Sequence, residues 1–357
     1  MGDDRKVMEI TDVAEAIAWQ ARHAEEAGAP ITARIVRAEA AILAGGTATG
    51  RRIANWKGLS LEDAMPLRVA GGLHYLHLAG EEPALAPIYA GLVTDQAEID
   101  RIVAEVAERH DHALLPWLDG PPQTNEAGRS ASVMAGLLWL SGRIGPRFEL
   151  IEIGASAGIN CMMDRYFYDL GGTTAGPADS PMRIVPEWRG SPPPANAVRI
   201  EAIRGCDIAP VDLTNPAQAA RLKAYIWADA TERMRRMETA IAMAGEVLPD
   251  LVEMDAQAFV EQQLAFPQSD RVARVLFHSV MWQYLPPATR DGITAAMEAA
   301  GARATTDRPL GWIRLETNRA TFRHELTVRY WPDQREGWVQ LAEAHPHGAW
   351  VAWQAPD

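Results

Sequence analysis

The sequence predicts an α/β protein: a mostly parallel sheet with an antiparallel C-terminal edge, preceded by an all-helical N-terminal region. Three observations carry this expectation. Apolar residues recur at helical spacing up to residue 147, strand-like and helical stretches alternate from residue 148, and three strand-like runs with short connections make up the tail. The expected division is therefore a helical region over 1–147 and a sheet domain over 148–357.

In the first region, Thr11 is placed to cap a helix whose apolar face is Val13, Ala16, Ile17 and Ala24. Ile31, Ile35, Ile42 and Leu43 mark a second helix, which Gly45-Gly46 stops. Ser60 with Asp63 gives a capping-box signal before Leu67–Leu78. Thr94 opens a helix carrying Ile99, Ile102, Val103 and Val106 on one face, and Ser130–Leu140 forms a further apolar helix.

From Phe148 the pattern changes. Phe148–Gly154 is a short apolar run ending at glycine, the form of a buried parallel strand. Val198–Cys206, Asp250–Met254 and Val272–Ser279 read as strands too. Helical stretches separate them at Pro216–Trp227, Thr231–Ala244, Ala256–Ala265 and Ala288–Ala300. The tail strands are Gly311–Glu316, Glu325–Trp331 and Trp338–Trp353. Residues 170–196, rich in Gly and Pro, are too long for a simple connection. They read as an insertion or a lid, with a structureless surface excursion as the alternative.

Composition narrows the function. Of 357 residues, 48% are hydrophobic and 23% charged, enough to bury a large core, and the net charge of −13 repels a phosphate backbone. Nucleic acid is not expected as a partner; a small molecule or a protein is. There is no apolar run long enough to cross a membrane, and the polar start Met1-Gly-Asp-Asp-Arg-Lys is not a secretory signal. With only two cysteines, a cytoplasmic setting is expected. No metal is expected: His74 with His77, His110-Asp111-His112 and His345 with His347 each lack a third ligand set by spacing.

The strongest local signal is Leu150-Ile-Glu-Ile-Gly-Ala-Ser-Ala-Gly-Ile-Asn160. A strand ends at Gly154, small residues follow, and a helix is expected from about Gly158. Small side chains allow a ligand close to the backbone, and a helix start offers N–H donors. The spacing G-x-x-x-G does not fit a dinucleotide turn, and Glu152 before it would repel a pyrophosphate. A carboxylate there suits a cationic ammonium. Asp207 follows the second strand, where an acid can take ribose hydroxyls, and Asp255 follows the third, where an acid can accept from an adenine amino group. The bland readings are that Gly154 and Gly158 serve tight packing and that Asp255 caps the helix beginning at Ala256.

This series resembles the class I S-adenosylmethionine-dependent methyltransferases, with Glu152, Gly154 and Gly158 in the acid-and-glycine motif and Ser156 in place of the middle glycine. The resemblance implies a Rossmann-like sheet. It also implies S-adenosylmethionine as the cofactor, bound by Glu152, Gly154, Ala155, Ser156, Gly158, Asp207, Asp255, Ala256 and His278. Two departures are the long stretch between the first two strands and the short Thr317–His324 connection. Over its full length the chain is similar to an uncharacterised bacterial family, a domain of unknown function. That similarity rests on Thr124–Arg129, Glu152–Asn160, Trp282-Gln-Tyr-Leu-Pro286 and His345-Pro-His-Gly-Ala-Trp350.

On the reactive side, His278 is a candidate general base, and Trp282 and Tyr284 can face a sulfonium through their rings; the bland reading is a satisfied core or N-cap histidine with packed aromatics. Tyr284 joins His278 as a catalytic candidate and Trp282 as a substrate contact. Asn125, Glu126 and Arg129 can reach the substrate, or can be an ordinary first helical turn. Two other functions stay open. One is a non-catalytic cofactor sensor or scaffold. The other is a serine hydrolase using Ser156 in Gly154-Ala-Ser-Ala-Gly158, with His345 or His347 as the late histidine.

Overall fold

The structure is a computed structural model, and it describes residues 10, 12–58, 63–332 and 337–355. In chain order its longer helices are α1 (Val13–Glu26), α2 (Pro30–Ala44), α3 (Ala48–Ala54), α4 (Met65–Leu78), α5 (Gln96–Arg109), α6 (Ser130–Ile144), α7 (Pro216–Ala224), α8 (Thr231–Glu246), α9 (Ala256–Ala265) and α10 (Pro287–Gly301). The chain divides into two compact units, Met1–Thr124 with Asn215–Arg235, and Asn125–Thr214 with Arg236–Asp357. The first unit's leading segment ends at Thr124.

In the first unit, local chemistry sets the helix ends. Asp12 caps α1 by accepting the Glu15 N–H at 2.7 Å. The caps expected at Thr11 and Ser60 lie outside the described residues. Asp95, one residue after Thr94, caps α5. Pro30 opens α2 and Gly45 closes it. Asp229 accepts from the N–H groups of Ile31 and Thr32, at 2.9 Å each, and from the Thr32 hydroxyl at 2.8 Å. That side chain satisfies the open start of α2 from almost 200 residues away, which is why 215–235 joins this unit. Ile35, Val36, Ile42, Leu73, Ile99 and Val103 form its core.

The second unit is built on a nine-stranded sheet. Its strands are β1 (Arg147–Ile153), β5 (Glu187–Arg189), β6 (Arg199–Asp207), β7 (Leu251–Glu253), β8 (Ala273–Ser279), β9 (Leu310–Asn318), β10 (Arg323–Trp331), β11 (Val339–Ala344) and β12 (Trp350–Trp353). They lie in the order β5-β12-β11-β10-β9-β8-β1-β6-β7. β7, β6, β1, β8 and β9 are mutually parallel, and β9 to β12 continue as an antiparallel meander. The mixed sheet and its antiparallel tail therefore follow the periodicity of the sequence. β1 and β8 are apolar and buried because parallel strands are covered on both faces. On one face Ile151, Ile153, Leu276 and Trp312 pack against Phe259 and Val260 of α9 and Ile293 and Met297 of α10. α6 lies against β9 and β10, with Gly136 close to Ile313 and Val328.

The chain leaves β1 for β6 and β7 on one side, then returns to β8 and β9 on the other, so strand order reverses at β1. In open α/β sheets the crevice beyond the carboxyl ends at such a reversal is where ligands bind. Two local expectations change. No α-helix follows Gly158: a six-residue 3₁₀ helix, Asn160–Arg165, takes its place. Nor is 170–196 structureless. β2 (Phe167–Leu170), β3 (Thr173–Ala175) and β4 (Arg183–Ile184) form a small second sheet, and β5 extends the edge of the large one beside β12.

Candidate functional site

The small-residue turn lies at the carboxyl end of β1. Gly154, Ser156 and Gly158 all have left-handed backbone, with φ of 65°, 53° and 69°. Glycine adopts this without cost, and serine does not. The turn's N–H groups are largely committed inside the protein. Ala155 donates to the Cys206 carbonyl at 2.9 Å, Ser156 to Asp207 Oδ2 at 2.8 Å, Gly158 to the Ala155 carbonyl at 2.8 Å and Ile159 to Asn125 Oδ1 at 3.0 Å. The helix-start donors expected here are thus replaced by an internally bonded loop. A Cβ on Gly154 would sit 2.8 Å from side-chain carbons of Met281, and one on Gly158 would sit 2.9 Å from Pro249. Both glycines serve close packing. The Ser156 hydroxyl is buried and has no hydrogen-bond partner.

The three strand-end acids differ in environment. Glu152 is 1% exposed and lies beneath the turn, accepting from Asn160 Nδ2 at 3.4 Å and from Cys161 Sγ at 3.1 Å. Burial pushes its carboxyl up to about 8, against the pull of those two donors. Asp207 is half-buried, with Oδ2 on the Ser156 N–H and Oδ1 on the Ala209 N–H at 2.9 Å. Asp255 is exposed and caps α9, taking the N–H groups of Gln257 and Ala258 on Oδ1, with Ala256 buried behind it.

His278 ends β8 with its ring fully buried. Its Nδ1 lies 2.7 Å from Glu316 Oε1 at the end of β9. Glu316 also accepts the Met281 N–H at 3.2 Å. Burial lowers the His278 pKa, and Glu316 opposes the shift. In the neutral ring Nδ1 then carries the proton and Nε2 the lone pair. Nε2 has no partner. Trp282 stacks on the imidazole at 4.9 Å, whereas Tyr284 is 69% exposed and stands in no ring contact with His278 among the described residues. Arg314 is the register partner of His278 on β9. Its guanidinium lies over Trp338 at 4.4 Å, Trp282 at 5.6 Å and Trp312 at 5.8 Å. Sequence reasoning missed Trp312, Arg314, Glu316 and Trp338. A signal existed: Trp312, Arg314 and Glu316 alternate along a strand already recognised, and so share one face.

Asn125, Glu126 and Arg129 are each 4% exposed. They do not form the first turn of α6. Ala127–Arg129 is a short 3₁₀ turn, and the three side chains reach elsewhere. Asn125 holds the β1 turn through Ile159. Arg129 donates to the Pro346 carbonyl at 2.7 Å and to the Ser279 carbonyl at 3.4 Å, and Glu126 Oε1 lies 3.7 Å from His347 Nδ1. Backbone meets backbone here, since a Cβ on Gly128 would come within 2.8 Å of the His347 carbonyl. Residues 125–129, the β1 turn, the end of β8 and the 345–350 loop are thereby joined in one place. Among the described residues, no three His, Cys, Asp or Glu side chains gather as a metal ion would require, and no helix is long and apolar enough to cross a membrane.

The family model described as "uncharacterized protein conserved in bacteria (DUF2332)" matches residues 14–353, and the chain belongs to that family. No curated protein and no solved structure matches the chain.

Proposed function

We propose that this member of an uncharacterised bacterial family binds S-adenosylmethionine along the carboxyl rim of its parallel strands and transfers the methyl group to a small molecule or a protein. One observation carries the reading: the order β7-β6-β1-β8-β9, reversing at β1, with Asp207 at the end of β6, Asp255 just beyond β7 and Glu152 beneath the turn that follows β1. Such an order supports the reading of a Rossmann-like methyltransferase sheet.

The donor set fits such a group. Asp207 accepts one N–H on each oxygen and keeps a lone pair on each for ribose hydroxyls. The Asp255 cap uses Oδ1 only, which leaves Oδ2 for an adenine amino group beside Ala256. Met281 covers Gly154, and its unbranched thioether chain is the part that must swing aside. Glu152 lies under Ala155, Ser156 and Gly158 and supports the floor of the turn through Asn160 and Cys161. When bound, the cofactor supplies an electrophilic methyl group. His278, kept neutral by burial and oriented by Glu316, presents Nε2 as the proton acceptor, and Trp282 stacks beside it.

Calorimetric titration with S-adenosylhomocysteine tests this. Saturable heat in the micromolar range, weakened at least tenfold in Asp207→Ala, is expected; no heat at high micromolar ligand overturns it. A second reading, a non-catalytic sensor or scaffold, is favoured by the internally satisfied N–H groups of the β1 turn. It gives the same heat with no methyl transfer to any acceptor. Serine hydrolysis draws no support from Ser156, whose buried hydroxyl touches no base.

A further inference from the structure

Three polar atoms without a hydrogen-bond partner among the described residues lie on one face of neighbouring strands β8 and β9. They are His278 Nε2, Trp312 Nε1 and Arg314 Nε. His278 is 0% and Trp312 1% exposed, so bulk water does not satisfy them, and a ligand reaches them only once the half-exposed Trp282 or Trp338 swings aside. Buried polar atoms of this kind are rare in folded proteins, and each calls for an explanation, a bound partner being one. The rings are neighbours: His278 and Trp312 are 6.1 Å apart between centroids, and Trp282 and Trp312 5.7 Å. Among the described residues the acid whose charge acts on Arg314 is Glu316, and it is turned to His278 Nδ1 and the Met281 N–H.

Two of the three atoms are donors and one belongs to a cation. What they lack is an anionic acceptor. A guanidinium offers planar, paired N–H groups that match a carboxylate. Trp282, Trp312 and Trp338 around it supply flat apolar surface. We infer that Arg314 and the Trp312 indole N–H form the seat for the carboxylate of a flat aromatic molecule, with Trp282 and Trp338 as its apolar wall. The seat adjoins His278, whose free Nε2 faces a hydrogen donor on the same ligand. That the molecule is the methyl acceptor rests on the proposed function; that the carboxylate binds does not.

Fluorine NMR of 4-fluorobenzoate and 4-fluorobenzamide with the full chain is the test. The benzoate is expected to bind saturably and at least tenfold more tightly than the isosteric neutral amide. Arg314→Gln should erase that preference while leaving the heat of S-adenosylhomocysteine binding unchanged. Trp338→Ala, at a half-exposed position, should weaken both probes alike. No saturable benzoate binding, equal affinity for benzoate and amide, or a preference that survives Arg314→Gln overturns the seat. Loss of S-adenosylhomocysteine heat with benzoate binding intact sinks the cofactor reading alone.

Discussion

Glu316, near the end of β9, accepts a hydrogen bond from Nδ1 of His278, near the end of β8, at 2.7 Å, where the imidazole has no exposure to solvent. The contact is a positional lock, because it fixes the tautomer and leaves Nε2 as the lone-pair nitrogen. Glu316→Gln keeps an acceptor for the N–H. Glu316→Leu leaves that donor unmet, and should cost about 1–3 kcal/mol more than the glutamine variant. Urea midpoints of the two variants measure the difference; equal midpoints refute the lock.

The same pair sets a pH response. Burial depresses the folded pKa of His278 below that of the unfolded chain. Below the unfolded pKa of about 6.5 the unfolded ring takes a proton that the folded ring resists, so stability present above that pH is lost as pH falls. Denaturant midpoints at pH 7.5 and 5.5 should drop on acidification in the wild type, and drop less in His278→Gln. A wild type and variant with parallel profiles would refute this.

Glu152 responds in the opposite direction. Its folded pKa, pushed up to about 8, exceeds the ordinary carboxyl value of 4.5. Stability from this group is therefore full below pH 4.5 and declines as pH rises toward 8. Glu152→Gln should match the wild type near pH 4.5 and be the more stable protein near pH 8. A midpoint gap that does not widen with pH refutes it.

Much of this was legible in the sequence, for identifiable reasons. Ala256–Ala265 has the predicted ends because Asp255 supplies a local cap and the helix is short. β1 and β8 are apolar runs of the kind a buried parallel strand shows; β6, with Arg199, Glu201 and Arg204, is not, and its place between helical stretches is what marks it. The small strands β2 to β5 could not be read, because two to four residues carry no period. The helix expected after Gly158 failed because left-handed glycines lead into a compact 3₁₀ stretch, which no hydrophobic pattern announces. The roles of Asn125 and Arg129 were invisible for a different reason. Their partners, Ile159 and Pro346, are 34 and 217 positions away, and only the fold brings them together.

In the helical unit, Glu39 of α2 is fully buried, and neither carboxyl oxygen finds a hydrogen bond of good geometry. Burial holds its pKa well above the usual range, against a smaller pull from the Ala70 backbone. A side chain that desolvates a carboxyl without return should be replaceable by an apolar one of similar length. Glu39→Met is expected to be neutral or stabilising at pH 8, by up to a few kcal/mol. Thermal unfolding at pH 8 checks it, and a lowered midpoint would mean that Glu39 has a partner to lose.

The meeting of Gly128 and Gly348 is the most sharply constrained part of the candidate site. A Cβ on Gly128 would lie 2.8 Å from the His347 carbonyl oxygen, and one on Gly348 would lie 2.3 Å from Gly128 backbone. Both obstacles are main chain, so no side chain can rotate away. Gly128→Ala must push the 345–350 loop off residues 125–129, and it strains the Arg129 hydrogen bond to the Pro346 carbonyl with it. The expected cost is about 1–3 kcal/mol, the range for overpacking. Gly136→Ala, whose nearest neighbours are side-chain methyl groups at 3.2 Å and beyond, should cost clearly less. Urea denaturation of the two variants side by side decides the matter. Equal losses would show that residues 125–129 and 345–350 are not held backbone to backbone.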